Sequence, residues 1–147
     1  MKLRLLFVFA FLAALMSGCQ IEKSNTELLT GSNWRIQAWT ITPPILGITD
    51  WFANLEPCET DNIFTFNTNG TAIIDEGALK CLANDPQTRT GTWSFNTDET
   101  TITLVSSGIT QIWQLLDLTA KIFKIKYTDT DQTSGITNTH TITFEAI

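Results

Sequence analysis

Eight short stretches rich in Thr, β-branched and aromatic residues, each bounded by turn signals, restrict this chain more than any other feature. They span residues 34–42, 61–67, 71–76, 88–96, 101–106, 109–118, 122–130 and 136–146. Stretches of this length and content form strands, because branched and aromatic side chains pack well on a pleated surface. No long amphipathic helix competes with them, and no repeat of solenoid period is visible. Residues 25–31 read as one capped helical turn ended by Gly31. The connections are short, so consecutive strands pair as an antiparallel meander, and eight strands suffice to close a barrel. The expected fold is therefore all-β, an eight-stranded antiparallel up-and-down barrel over residues 27–147. Composition agrees: charged residues are only 16%, while five Trp and nine Phe supply the bulk for a core.

The second and third stretches flank Asn69-Gly70, the strongest short hairpin signal, since both residues accept positive φ. A two-residue turn there pairs residues whose numbers sum to 139, so Phe66 would face Ile73 and Phe64 would face Asp75. Cys58 and Cys81 also sum to 139, which places them across the base of the same hairpin and predicts a disulfide. Free thiols or a metal site are the competing readings; the chain has one His and no CxxC, so no metal ligands are assigned.

The N-terminus reads as an export signal. Lys2 and Arg4 precede an apolar run of about 12 residues, too short to span the roughly 30 Å core of a bilayer. The run ends in Ser17-Gly18-Cys19, which resembles a bacterial lipobox. On that resemblance residues 1–18 are removed, Cys19 becomes the lipidated first residue, and residues 19–26 form the lipidated cysteine and a polar tether. Lipidation takes one of three cysteines and leaves an even pair, and export supplies the oxidising compartment that a disulfide needs. Of nine basic residues, removal of two leaves seven against fifteen acidic ones, a net charge of −8. An acidic chain without a basic cluster has no electrostatic footprint for nucleic acid.

Traced up and down, the connections fall into two ends. Tight turns at 69–70, 97–100 and 119–121 lie at one; loops 43–60, 77–87, 107–108 and 131–135 lie at the other. A barrel closed at one end and loop-rich at the other suits a small-molecule cup. The long loop 43–60 carries Trp51 and Phe52, with Asp50 placed to cap a short helical turn. It reads either as an apolar lid over the mouth or as a segment packed on the outer wall. Alternation places Trp34, Ile36 and Ala38 on one face of the first strand, and Phe64, Phe66, Ile73 and Asp75 on one face of the hairpin. Arg89, Gly91, Trp93 and Phe95 share a face, as do Phe123, Ile125 and Tyr127, and His140 lies among Ile136, Asn138, Ile142 and Phe144. The sixth strand is apolar on both faces. Asp75 and Arg89, both toward the loop-rich end, are a candidate ion pair for a polar ligand group or a plain rim salt bridge. His140 reads as a wall residue or a ligand contact. No cysteine is free to pair with it, no second His completes a metal triad, and the acidic residues lack calcium-loop spacing, so no catalytic residue and no cofactor are assigned.

Leu29-Thr30-Gly31-Ser32-Asn33-Trp34 resembles the opening Gly…Trp of lipocalin-like domains, whose Trp plugs the closed barrel end. Residues 58–71, Cys81 and Gly91-Thr92-Trp93-Ser94-Phe95 are similar to the signature of the lipocalin-like lipoproteins of Bacteroidetes. The resemblance covers residues 28–147. It implies the lipocalin-like fold. Taken with the lipobox and the loop-rich end, the leading expectation is a lipid-anchored outer-membrane protein that binds a small apolar molecule non-covalently in its barrel. Candidate contacts are Trp34, Trp51, Phe52, Phe64, Phe66, Asp75, Arg89, Trp93, Phe95 and His140. The alternative is a structural or protein-interaction module of the envelope whose barrel is filled by its own side chains.

Overall fold

The computed structural model describes residues 22–147; the leader, Cys19 and the first tether residues lie outside that range. Ser24 caps helix α1 (Asn25–Leu29) in a reciprocal capping box with Glu27, so the end of the stretch read as tether is helical. Strands β1 (Asn33–Ile45) and β2 (Ile48–Asp50) follow, then a 3₁₀ turn (Phe52–Asn54) and α2 (Pro57–Thr60). The rest is a meander: β3 (Ile63–Phe66), β4 (Thr71–Asp75), β5 (Thr88–Phe95), β6 (Thr101–Ser106), β7 (Ile109–Leu118), β8 (Ile122–Thr130) and β9 (Thr137–Ala146). Each strand from β3 to β9 pairs antiparallel with the next, and β1 closes the ring on β3 and β9. The molecule is thus a closed eight-stranded antiparallel barrel, as expected, with β2 added as a short ninth strand. Among the described residues, one closed ring of strands encloses one buried core cluster, the mark of a single folding unit.

The base is packed solid. Trp34 is completely buried and donates its indole N–H to Leu29 O at 2.9 Å, which ties the barrel plug to α1. Phe123 sits edge-on to Trp34 and Phe66 and stacks on Phe144 at 5.0 Å between centroids. Such contacts add roughly 0.5–1.5 kcal/mol per pair beyond the area they bury. Gly91 is required by proximity rather than by φ: a β-carbon there would collide with the Val105 carbonyl on β6.

Two local irregularities change which residues face inward. The β3–β4 turn has three residues, because Asn67 N–H bonds Thr71 O and Gly70 takes φ +81°. The register therefore sums to 138: Phe66 faces Ala72 and Phe64 faces Ile74. Ile73 and Asp75 leave the inner face, contrary to the two-residue reading, and Ala72, Ile74 and Glu76 take it. In β1 a bulge between Ile36 and Ala38 shifts the register against β9. Ala38 loses the inner position expected of it and Trp39 gains it. On β7 the ambiguity resolves with Trp113 and Leu115 packed on the core and Ile112 and Leu116 exposed.

The barrel is not fully laced. β7 and β8 pair from Leu118↔Phe123 only as far as Gln114↔Lys126, and beyond it residues 109–113 and 127–130 part company. Both strands keep their other partners along these segments. The result is a slot in the side wall at the loop-rich end.

Candidate functional site

Above the packed base lies an interior cavity of about 160 Å³. Ile36, Trp39, Phe64, Ile74, Trp113, Ile142 and Phe144 form its apolar wall, with Gln111 and Tyr127 as polar neighbours. Gln111 Oε1 accepts the Trp113 indole N–H at 3.1 Å, which fixes both side chains. Of the ten ligand contacts expected from sequence, Phe64 alone lines this cavity. Trp34, Phe66 and Trp93 are buried in the packed base, and Phe95 packs half-buried against it. Trp39, Ile74, Gln111, Trp113 and Tyr127 were not among the expected contacts. The β1 bulge places Trp39 and the three-residue turn places Ile74, and alternation alone shows neither; Gln111 and Trp113 share the inner face of β7, and Tyr127 continues the Phe123–Ile125 face of β8.

A hydrogen-bonded cluster adjoins the cavity through Trp39 and Tyr127. Trp39 donates its indole N–H to His140 Nδ1 at 3.1 Å, and His140 Nε2 lies 2.9 Å from Asp129 Oδ1. An indole nitrogen only donates, so Nδ1 is the acceptor, and the Nε2–H group donates to Asp129 Oδ1. Tyr127 stacks on His140 at 4.6 Å with the rings 3° from parallel. Burial, together with the nearby Asp129 charge, pushes the Tyr127 phenol up to about 12. The lone histidine is thus a buried wall residue with both nitrogens engaged.

Loop 43–60 is neither a free lid nor a flap on the outer wall. β1 runs on to Ile45 and turns back at Leu46-Gly47, so that β2 takes up the side of β1 that β3 leaves vacant. Trp51 N–H bonds Trp39 O at 2.8 Å, the two indoles lie 6.4 Å apart, and Phe52 packs against the core. The segment completes the wall at the mouth. Asp50 Oδ1 accepts from Ala53 N–H at 3.2 Å, the capping contact expected of it.

The expected Asp75–Arg89 pair does not form. With β4 moved by one residue, Glu76 turns inward, 3% exposed, and meets Arg89 at 2.9 Å; Asp85 adds a second contact at 3.3 Å. Asp75 instead accepts from the Gln87 side chain at 2.8 Å and Gly77 N–H at 2.9 Å, and these bonds hold its carboxyl below the usual range. Cys58 and Cys81 are joined, Cα–Cα 5.2 Å, as predicted. Asp61 Oδ2 accepts from both Ala78 and Leu79 N–H at 2.9 Å beside that bridge, fastening loop 77–87 to the corner.

Outside the cavity, the β7–β8 slot opens into a space of about 530 Å³ bordered by Ile109, Ile112, Thr128 and Asp129. Gln111 and Tyr127 border both spaces. No group of three or more His, Cys, Asp or Glu that could hold a metal occurs among the described residues.

No family model and no curated protein matches the chain. Among solved structures it is similar to bovine odorant-binding protein in two forms. One is a deswapped triple mutant, with TM-score 0.47 and 16% identity over 84% of this chain and 75% of that one. The other is the complex with a selenium-containing odorant, with the same score and identity over 87% of this chain and 75% of that one. Superpositions this loose do not bear on function, and the barrel assignment rests on the strand pairing described above.

Proposed function

We propose that this protein is a lipocalin-like binding protein that holds a small apolar molecule, or the apolar end of a larger one, in the barrel interior. The reading includes export, lipidation at Cys19 and residence at the outer membrane, as in the Bacteroidetes lipoproteins that its motifs resemble. The observation that carries it is the cavity of about 160 Å³ with seven apolar side chains in its wall. An apolar cavity of about 150 Å³ stays dry and accepts benzene or xenon, so this one matches a single aromatic ring. Burial of the ring against Trp and Phe contributes about 25 cal/mol per Å² removed from water. The ring is bound, not transformed.

One observation favours a second reading, an envelope interaction module: Val105, Ile112 and Leu116 stand exposed on the outside of β6 and β7. Native mass spectrometry of residues 20–147, purified from the source organism, separates the two. Cavity binding predicts a retained small molecule, or uptake of toluene by the empty protein, abolished by Ile74→Phe. A clean protein mass with no toluene uptake would reject the binding reading.

A further inference from the structure

The β7–β8 slot exposes backbone as well as side chains. Leu115 N–H bonds Thr100 O on the β6 side. In an unbroken antiparallel ladder the bonded positions recur every second residue, so Trp113, Gln111 and Ile109 also bond toward β6. Thr110 and Ile112 therefore direct their N–H and C=O groups into the slot. On the other side, Asp131 N–H bonds Ile136 O, so Asp129 and Tyr127 bond toward β9 while Thr128 and Thr130 face the slot. Gln132 Nε2 takes the Thr130 carbonyl at 3.1 Å, but no strand meets Thr110, Ile112 or Thr128 across the gap. Free donors and acceptors thus alternate along two facing edges. Ile109 and Ile112 beside them are 65% and 63% exposed.

Resting on the binding reading above, we infer that the slot is a lateral subsite of the same cavity, and that it takes a neutral amide attached to the ring held inside. An amide offers one donor and one acceptor, the complement of an open strand edge. The Asp129 carboxylate at the slot repels an anionic end, which excludes a plain carboxylate. Because Gln111 and Tyr127 border both spaces, a ring in the cavity and an amide one methylene away reach both at once.

Calorimetric titration of residues 20–147 with toluene, benzyl acetate and N-benzylacetamide tests this, since the three share a ring and differ in what enters the slot. N-benzylacetamide is expected to bind about tenfold more tightly than benzyl acetate, which lacks the N–H. Thr128→Pro removes a slot-facing N–H without breaking a ladder bond, so it should erase that margin and leave toluene unchanged; Ile112→Pro should do the same from the opposite edge. Toluene binding without an amide advantage in the unmodified protein would overturn the subsite, as would an advantage that survives both prolines. If neither proline variant folds, the ligand comparison decides alone. If none of the three compounds binds, the interior-binding reading itself fails.

Discussion

Tyr127 is the only tyrosine in the chain, so its ionisation can be followed without ambiguity. Its pKa is raised from 10.0 to about 12 by burial first and Asp129 second. Between those values the unfolded chain has lost the phenol proton and the folded one still holds it. The contribution of this group to stability is therefore constant below pH 10 and is lost as pH rises toward 12. Phenolate absorbance should show a midpoint near 12 in the native protein and near 10 in denaturant; a native midpoint near 10 would contradict the stacked, buried ring. A second residue-scale outcome concerns Arg89. Glu76 is buried and Arg89 is its ion-pair partner, so Arg89→Met strands a carboxylate and should cost about 3 kcal/mol in chemical denaturation. Asp75→Asn, on the solvent side of the same strand, should cost far less, and equal losses would return the pair to Asp75. The sequence analysis placed Arg89 correctly and chose the wrong acid. Both acids stand next to each other, and a strand's faces alternate, so one extra turn residue exchanges them.

Elements were the most legible scale. All eight strands of the ring were read from residue type and turn signals; the Asn-Gly hairpin was located but its register missed by one residue, while the Cys58–Cys81 bridge was paired correctly. Thr68-Asn69-Gly70 makes a three-residue turn because Gly70 alone takes the positive φ, a choice that the dipeptide does not reveal. The bulge after Ile36 shows only in the register of β1 against β9, a long-range pairing that alternation along β1 does not reveal. The bridge closes a loop with a sequence separation of 23. In the chain-entropy account a loop of that size contributes roughly 3 kcal/mol, chiefly by restricting the unfolded chain. Cys58→Ser/Cys81→Ser should lower the unfolding free energy in chemical denaturation by about 3 kcal/mol and leave toluene binding intact. Simultaneous loss of binding would show that the clip shapes the cavity as well.

For the whole molecule, counting strands and sorting connections by end predicted the barrel and its loop-rich mouth. The interior was less legible, because its volume depends on which faces the bulge and the turn bring inside. Large aromatic residues fill the base, and the space left is one ring across. The slot was invisible to any pattern, since β7 and β8 are both strand-like along their full length and only their divergence opens it.

The clamp between α1 and the β5–β6 turn has a consequence for orientation. Glu99, at φ +50°, is held by Asn25 N–H at 3.0 Å and by the Thr26 hydroxyl at 2.6 Å, and Asn25 Nδ2 adds a bond to its carbonyl. The chain therefore departs toward its N-terminus from the closed end of the barrel. Five steps separate Ser24 from Cys19, a span of at most about 18 Å when fully extended. A protein held by acyl chains on Cys19 would stand base-down on its leaflet, with mouth and slot both directed away from the lipid. On the proposed reading, such a protein would take its ligand from the aqueous side; molecules dissolved in the bilayer beneath it would have to leave the membrane before they could be caught.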